Sequence, residues 1–218
     1  MTETPAAKRA RAKKIITRLK RRYPDAHCSL TYRTPLQLLV ATILSAQCTD
    51  ARVNKVTPAL FRKYQSARAL ADADPDELAE MIRSTGFFRN KTRAIIGMAQ
   101  RLSTEYHGRV PRTMEELTSL PGVGRKTANV VLGNAFGIDV GIVVDTHVSR
   151  ISRRLDLTRE RDPVKIERDL MALVPRKDWT LFPHLMISHG RETCLARTPR
   201  CDACGLGDLC PTSPQSSP

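Results

Sequence analysis

Four cysteines crowd the last quarter of the 218-residue chain: Cys194, Cys201, Cys204 and Cys210, with six, two and five residues between them. Four thiolates can close around tetrahedral zinc or around a [4Fe–4S] cube, and either would leave no coordination position open for catalysis. Spacing alone leans toward zinc, because zinc ribbons are common. A second constellation lies upstream, where Leu120-Pro121-Gly122-Val123-Gly124 runs straight into Arg125 and Lys126. Two glycines flanking one apolar residue let the backbone turn tightly and approach another molecule closely. A helix starting there turns its unpaired N–H groups and positive dipole end outward, which suits a phosphate and reads no base. A plain corner between two helices would use the same turn. Lys126 places an amine beside this grip, as a phosphate contact or as a nucleophile. Only a neutral amine attacks. The first-turn position, the cation of Arg125 and burial against the turn would all disfavour the ammonium. Asp145 precedes Thr146-His147-Val148 and is a good helix N-cap; a carboxylate fixed there can also take up a proton or stabilise positive charge. His147 is read as a structural histidine.

The chain carries 36 Lys and Arg against 22 Asp and Glu, a formal net charge of +14. Such an excess points to a polyanion, either nucleic acid or an acidic membrane surface. No apolar run approaches the ~18–20 residues that span a bilayer. Residues 1–14 lack the apolar segment of a signal peptide. The expected setting is therefore the cytoplasm, where thiols stay reduced and clustered cysteines favour metal ligation over disulfides. Cys28 and Cys48 lie far from the cluster and read as small buried residues.

The elements that must hold these groups are helical nearly throughout. Residues 8–22 place Ile15, Ile16 and Leu19 on one face, with basic residues filling the rest, so this helix lies along a polyanion or presents a solvated face. Thr34 caps a helix opened by Pro35 and running to about Ala46. Asp50 caps the next, through Tyr64, and Asp74-Pro75 opens another that ends near Gly86. A longer helix spans 90–106, closed by Gly108, and a short one at 113–117 leads into the glycine turn. The helix after the turn runs to about Ala135. Asp145 caps a helix to Arg154, Asp162-Pro163 opens one ending before Pro175, and the last spans 178–189. From Pro211 onward the chain is rich in Ser and Pro, and 212–218 is expected to be a disordered tail.

The run Leu-Pro-Gly-Val-Gly-Arg-Lys-Thr-Ala resembles the helix-hairpin-helix of base-excision DNA glycosylases, and Val144-Asp145-Thr146-His147 matches the segment that carries their catalytic aspartate. With the cysteine pattern included, the chain is similar to the endonuclease III family over about 15–210. The resemblance implies an all-α, two-lobed fold. A six-helix barrel with the hairpin would span 28–138, an iron–sulfur domain would be formed by 1–27 with 139–211, and a groove between them would hold Lys126 and Asp145. It implies a bifunctional enzyme on damaged double-stranded DNA, excising oxidised pyrimidines and then cutting the abasic site by β-elimination. Lys126 would form a Schiff base at the sugar C1′, with Asp145 assisting.

The resemblance also turns the metal reading to a [4Fe–4S] cluster on Cys194, Cys201, Cys204 and Cys210. The loop so pinned would hold Arg197 and Arg200 toward the DNA backbone. Gly122, Val123, Gly124 and Arg125 would form the phosphate grip. Gln47, in Leu44-Ser45-Ala46-Gln47, would enter the space left by a flipped base, and Gly86-Phe87-Phe88 would be a wedge loop with either aromatic as its tip; a helix-end glutamine and core aromatics are the plain alternatives. The enzyme would act as a monomer associated with the nucleoid. Two alternatives stand beside this. One is an adenine-type monofunctional glycosylase, which lacks the lysine and carries a further C-terminal domain. The other is a non-catalytic helix-hairpin-helix module with a zinc ribbon.

Overall fold

The computed structural model describes residues 3–214, which are all-α: eleven α-helices joined by loops and short 3-10 turns, with no strand among the described residues. The chain divides into two compact units, Cys28–Ile138 and Met1–His27 with Asp139–Pro218.

The unit Cys28–Ile138 holds α2 (Pro35–Leu44), α3 (Asp50–Lys63), α4 (Ala67–Ala71), α5 (Pro75–Ile82), α6 (Phe88–Glu105), α7 (Met114–Ser119) and α8 (Arg125–Phe136). Residues 38–44 of α2 are all buried, so this helix has no solvent face and serves as the hub of the unit. Val53 and Leu60 of α3, Leu78 and Ile82 of α5, and Ile95, Met98 and Leu102 of α6 bury apolar stripes of helical spacing within the same unit.

Six helices are expected over 28–138, and the structure has seven. The addition, α4, is five residues long, too short for hydrophobic periodicity to register. Its one local signal is Ser66, whose Oγ accepts from the Ala69 N–H at 3.1 Å. Several ends also differ from expectation. Helix α2 stops at Leu44, and Thr49 caps α3 with Asp50 already inside the helix. Helix α6 begins at Phe88, because Phe87 takes the cap position in a left-handed conformation.

The second unit packs α1 (Pro5–Arg22) with α9 (Thr146–Arg154), α10 (Pro163–Leu173) and α11 (Leu181–Glu192). Ile15, Ile16 and Leu19 share one core with Ile151, Leu155, Ile166, Leu170, Phe182 and Met186. Many of the basic residues of α1 are neither a solvated face nor free for a polyanion. Arg11 donates to the Leu155 carbonyl at 2.6 Å and the Leu209 carbonyl at 3.0 Å, and Arg9 donates to the Ala172 carbonyl at 2.9 Å. Lys20 pairs with Asp178 at 2.6 Å, and Arg18 binds Asp208 and the Gly205 carbonyl. Leu155 and Ala172 lie at the ends of α9 and α10, where the last carbonyls have no partner inside their own helix. The arginines of α1 supply that missing partner.

Of the 212–218 tail expected to be disordered, Thr212 donates to the Arg154 carbonyl at 3.1 Å and Ser213 is buried. Residues 215–218 lie outside the described residues.

Candidate nucleic-acid interface and cysteine cavity

The glycine turn joins α7 to α8. Gly122 sits at φ +74°, and a Cβ there would lie 2.6 Å from the Ala94 Cβ, so both backbone and space demand glycine. Val123 is buried and anchors the turn. Gly124 differs: its φ is −91° and a Cβ would meet nothing within 4 Å, so the protein's own packing does not require a glycine there. A bare backbone at that point suits close approach by another molecule.

Gly124 also leaves α8 without a side-chain cap. Eight helices of the fold begin with a Ser, Thr or Asp side chain accepting a first-turn N–H, the exceptions being α6, α8 and α11. A helix start without a side-chain cap suits an anion. Arg125 and Lys126 occupy the first two helical positions and are both exposed. The burial expected of Lys126 is not found. The apolar face of α8 is Ala128, Val131 and Leu132, and Lys126 points off that face.

Gln47 and Phe87 are exposed, and each has the left-handed backbone that residues other than glycine seldom adopt, at φ 52° and 49°. Phe87 is 63% exposed, a large apolar ring left in water. Phe88 is half-buried, with the guanidinium carbons of Arg83 and Arg89 each 5.9 Å from its ring centre. The two aromatics therefore separate, Phe87 projecting and Phe88 packed.

Asp145 is the N-cap of α9, its Oδ1 accepting from the Val148 N–H at 2.7 Å. One carboxylate oxygen fixes the side chain of this half-buried residue. His147 is half-buried beside Arg150, and burial pushes its imidazole down despite the nearby Asp145.

Cys194, Cys201, Cys204 and Cys210 line a single cavity of ≈ 230 Å³ with Leu206 and His189. Burial raises the Cys204 thiol, and the other three cysteines add to the effect. Burial pushes His189 down to about 4, and its Nε2 lies 3.7 Å from the Cys204 sulfur. The loop after Cys194 is fastened from α9. Arg154 donates to the Cys194 sulfur at 3.2 Å and to the Leu195 and Ala196 carbonyls at 2.7 Å each, and Arg150 reaches the Cys194 carbonyl at 2.9 Å. Arg197 and Arg200 are exposed on that loop.

Three residues went unnoticed in the sequence. Arg150 and Arg154 form an i,i+4 pair indistinguishable there from any basic helix face. Lys91 has no flanking signal either, yet it is buried, with Nζ 2.8 Å from the carbonyls of Leu44 and Thr85.

Residues 40–176 match the HhH-GPD superfamily base excision DNA repair protein. Endonuclease III of Synechocystis sp. is 58% identical over 211 residues, covering 97% of this chain and 96% of that one. The chain belongs to the endonuclease III family. Among solved structures, a non-covalent endonuclease III–DNA complex superposes with a TM-score of 0.89 at 44% identity, covering 94% of this chain and 95% of that one. A trapped covalent endonuclease III–DNA intermediate gives 0.88 at 44% identity over 97% of both chains. The all-helical architecture is the fold of this family. No helix among the described residues of this endonuclease III relative is long and apolar enough to cross a membrane.

Proposed function

We propose that the chain excises oxidised pyrimidines from duplex DNA and cuts the resulting abasic site, with Lys126 as nucleophile and Asp145 as its carboxylate partner. The observation that carries this reading is Lys126 standing exposed at the glycine hairpin, whose helix starts without a side-chain cap. The uncapped start of α8 takes a backbone phosphate, which sets the amine beside the deoxyribose. Flipping the nucleotide costs a few kcal/mol of stacking, less for a damaged base. The neutral amine attacks C1′ and the bond to the base breaks with its electrons leaving on the base; the nitrogen lone pair then forms the C=N of the Schiff base as the C1′–O4′ bond opens and O4′ takes a proton. Loss of a C2′ proton then expels the 3′ phosphate, and water releases Lys126. The carboxylate of Asp145 accepts the amine's proton and stabilises the positive sugar.

Gln47 and Phe87 fill the space the base vacates. The projection of Phe87, against the packed Phe88, supports Phe87 as the wedge. Arg125, Arg197 and Arg200 hold phosphates without reading sequence. Cys194, Cys201, Cys204 and Cys210 hold a [4Fe–4S] cluster that ties the loop of Arg197 and Arg200 together. All four cysteines line one cavity, which supports a single group shared among them. The cluster supplies cross-linking, and the closed ligand set assigns it no part in the reaction. The enzyme acts as a monomer on nucleoid DNA in the cytoplasm.

A strand-cleavage assay with borohydride trapping tests the reading on duplexes carrying thymine glycol, dihydrouracil, 8-oxoguanine or an abasic site. Trapped adducts are expected on the pyrimidine lesions and the abasic site. A chain that binds these duplexes and leaves all four uncut is a binding module instead.

A further inference from the structure

Lys91 lies in the first turns of α6 and is 5% exposed. A buried ammonium is tolerated only where its donors are met. Here two carbonyls meet it, those of Leu44 and Thr85, at 2.8 Å each. Leu44 is the last residue of α2, so its carbonyl belongs to the set that no helical N–H can satisfy. Thr85 is the last residue of the 3-10 turn before Gly86, and its buried hydroxyl is spent on the Ile82 carbonyl at 2.8 Å. One side chain thus ties together the ends of two segments far apart in sequence. Three residues beyond Leu44 stands Gln47, and two beyond Thr85 stands Phe87. These are the two exposed tips, both in the left-handed region. Filling the same space would need only an apolar side chain, and the lysine adds a fixed linkage between the tips.

We propose that Lys91 is a positioning residue that locks the Gln47 loop and the Phe87 loop into one rigid element, so that both tips enter the duplex at a set separation. This rests on the reading that the enzyme everts a nucleotide. The rigid element matters only for a duplex, because a single strand has no stacked partner to replace. Its loss therefore acts on eversion and leaves the amine chemistry alone.

The test compares cleavage of one abasic site in a duplex and in a single-stranded oligonucleotide by the full chain, Lys91→Met and Lys91→Arg. For Lys91→Met the duplex rate is expected to fall about tenfold or more, the scale of a small misplacement of a substrate-positioning group, with the single-strand rate nearly unchanged. Lys91→Arg keeps donors for both carbonyls and is expected to restore part of the duplex rate. Amide hydrogen exchange at 45–49 and 83–88 is expected to quicken together in Lys91→Met. Equal losses on both substrates, no loss on either, or failure of both variants to fold would make Lys91 a plain stability residue and overturn the proposal. A wild-type chain that leaves both substrates uncut sinks the enzymatic reading itself, an outcome distinct from any result with the variants.

Discussion

The two compact units of this chain are fastened by different physics. Cys28–Ile138 closes on α2, whose residues 38–44 are all buried, and Lys91 is a buried charge whose ammonium meets the end of that helix. The unit made from both chain ends closes on a smaller apolar core, and charged side chains of α1 finish the job by capping helix ends and loops. Around the cysteines it adds the clasp of Arg150 and Arg154. Apolar packing holds a site rigid whatever the salt or pH, whereas ion pairs and metal ligands loosen with both. The proposed amine and phosphate grip sit in the first unit, and the carboxylate and cysteine loop sit in the second. Each unit can therefore be damaged separately, and the consequences should differ in kind.

The largest effect is expected at Lys126. Lys126→Ala should abolish the borohydride-trapped adduct and lower cleavage by about 10³-fold or more, as removing a nucleophile does. Because the side chain is exposed, unfolding stability should stay within about 0.5 kcal/mol of wild type. Asp145→Asn gives the counterpart in the other unit. Asparagine keeps an oxygen for the Val148 N–H, so the α9 cap survives while the charge goes. Turnover should drop by roughly 10²-fold or more with duplex affinity little changed. An adduct formed normally by Lys126→Ala would remove it from the nucleophile role.

Cysteine substitution should split the units. In Cys204→Ser, iron content and visible colour should fall, and amide protection should be lost in α1, α9 and α11 while α2 and α6 keep theirs. Uniform loss of protection across all helices would show that the two units do not respond separately.

The hairpin allows a contrast one turn apart. Gly122→Ala puts a methyl against Ala94 in a backbone conformation unfavourable to alanine, and about 1–3 kcal/mol of stability should be lost. Gly124→Ala meets open space, so its melting temperature should barely move while affinity for duplex DNA falls. If affinity holds in Gly124→Ala, nothing approaches the backbone there.

These contrasts track what could be read in advance. Helix starts marked by Thr34-Pro35, Asp74-Pro75, Asp145 and Asp162-Pro163 were legible because a capping side chain acts within three residues of itself. The hairpin motif was legible for the same reason, as was the family resemblance that the comparisons support. What escaped depends on partners remote in sequence. Arg11 meets Leu155 across 144 residues, and Lys91 meets Leu44 across 47. Nothing beside either residue announces it. The basic face of α1 was open to a DNA or a solvent reading for that reason, and its main work is internal. The exposure of Lys126 went the other way: burial against the turn was a fair expectation until the apolar face of α8 was seen to exclude it.

The smallest expected effect is also the one that most directly separates the two kinds of fastening. Hydrogen bonds from Arg11 and Arg18 hold the carboxyls of Glu3 and Asp208 below the ordinary carboxylate range. A carboxyl lowered in the folded state stabilises it fully above its unfolded value, and that contribution disappears as pH falls through the lowered folded value. Acid should therefore loosen α1 before α2, since protonated Asp208 no longer pairs with Arg18 across 190 residues of chain. Cys28–Ile138 has a lowered carboxyl of its own in Glu105, but its partner Arg101 lies one turn away on the same helix, so losing that pair acts only locally. Its Lys63–Glu77 pair has the opposite sign on the lysine side: the hydrogen bond to Glu77 raises the ammonium, so that contribution is present below the ordinary lysine value and lost as pH rises through the raised one. Amide exchange of α1 and α2 followed from neutral pH downward, at low salt and at 1 M salt, separates the outcomes. Faster exchange in α1 at acid pH that shrinks the contrast at high salt is expected, because screening has by then already removed the pairs. If α1 and α2 respond alike under both conditions, the ion pairs of α1 contribute nothing measurable and apolar packing alone holds both units.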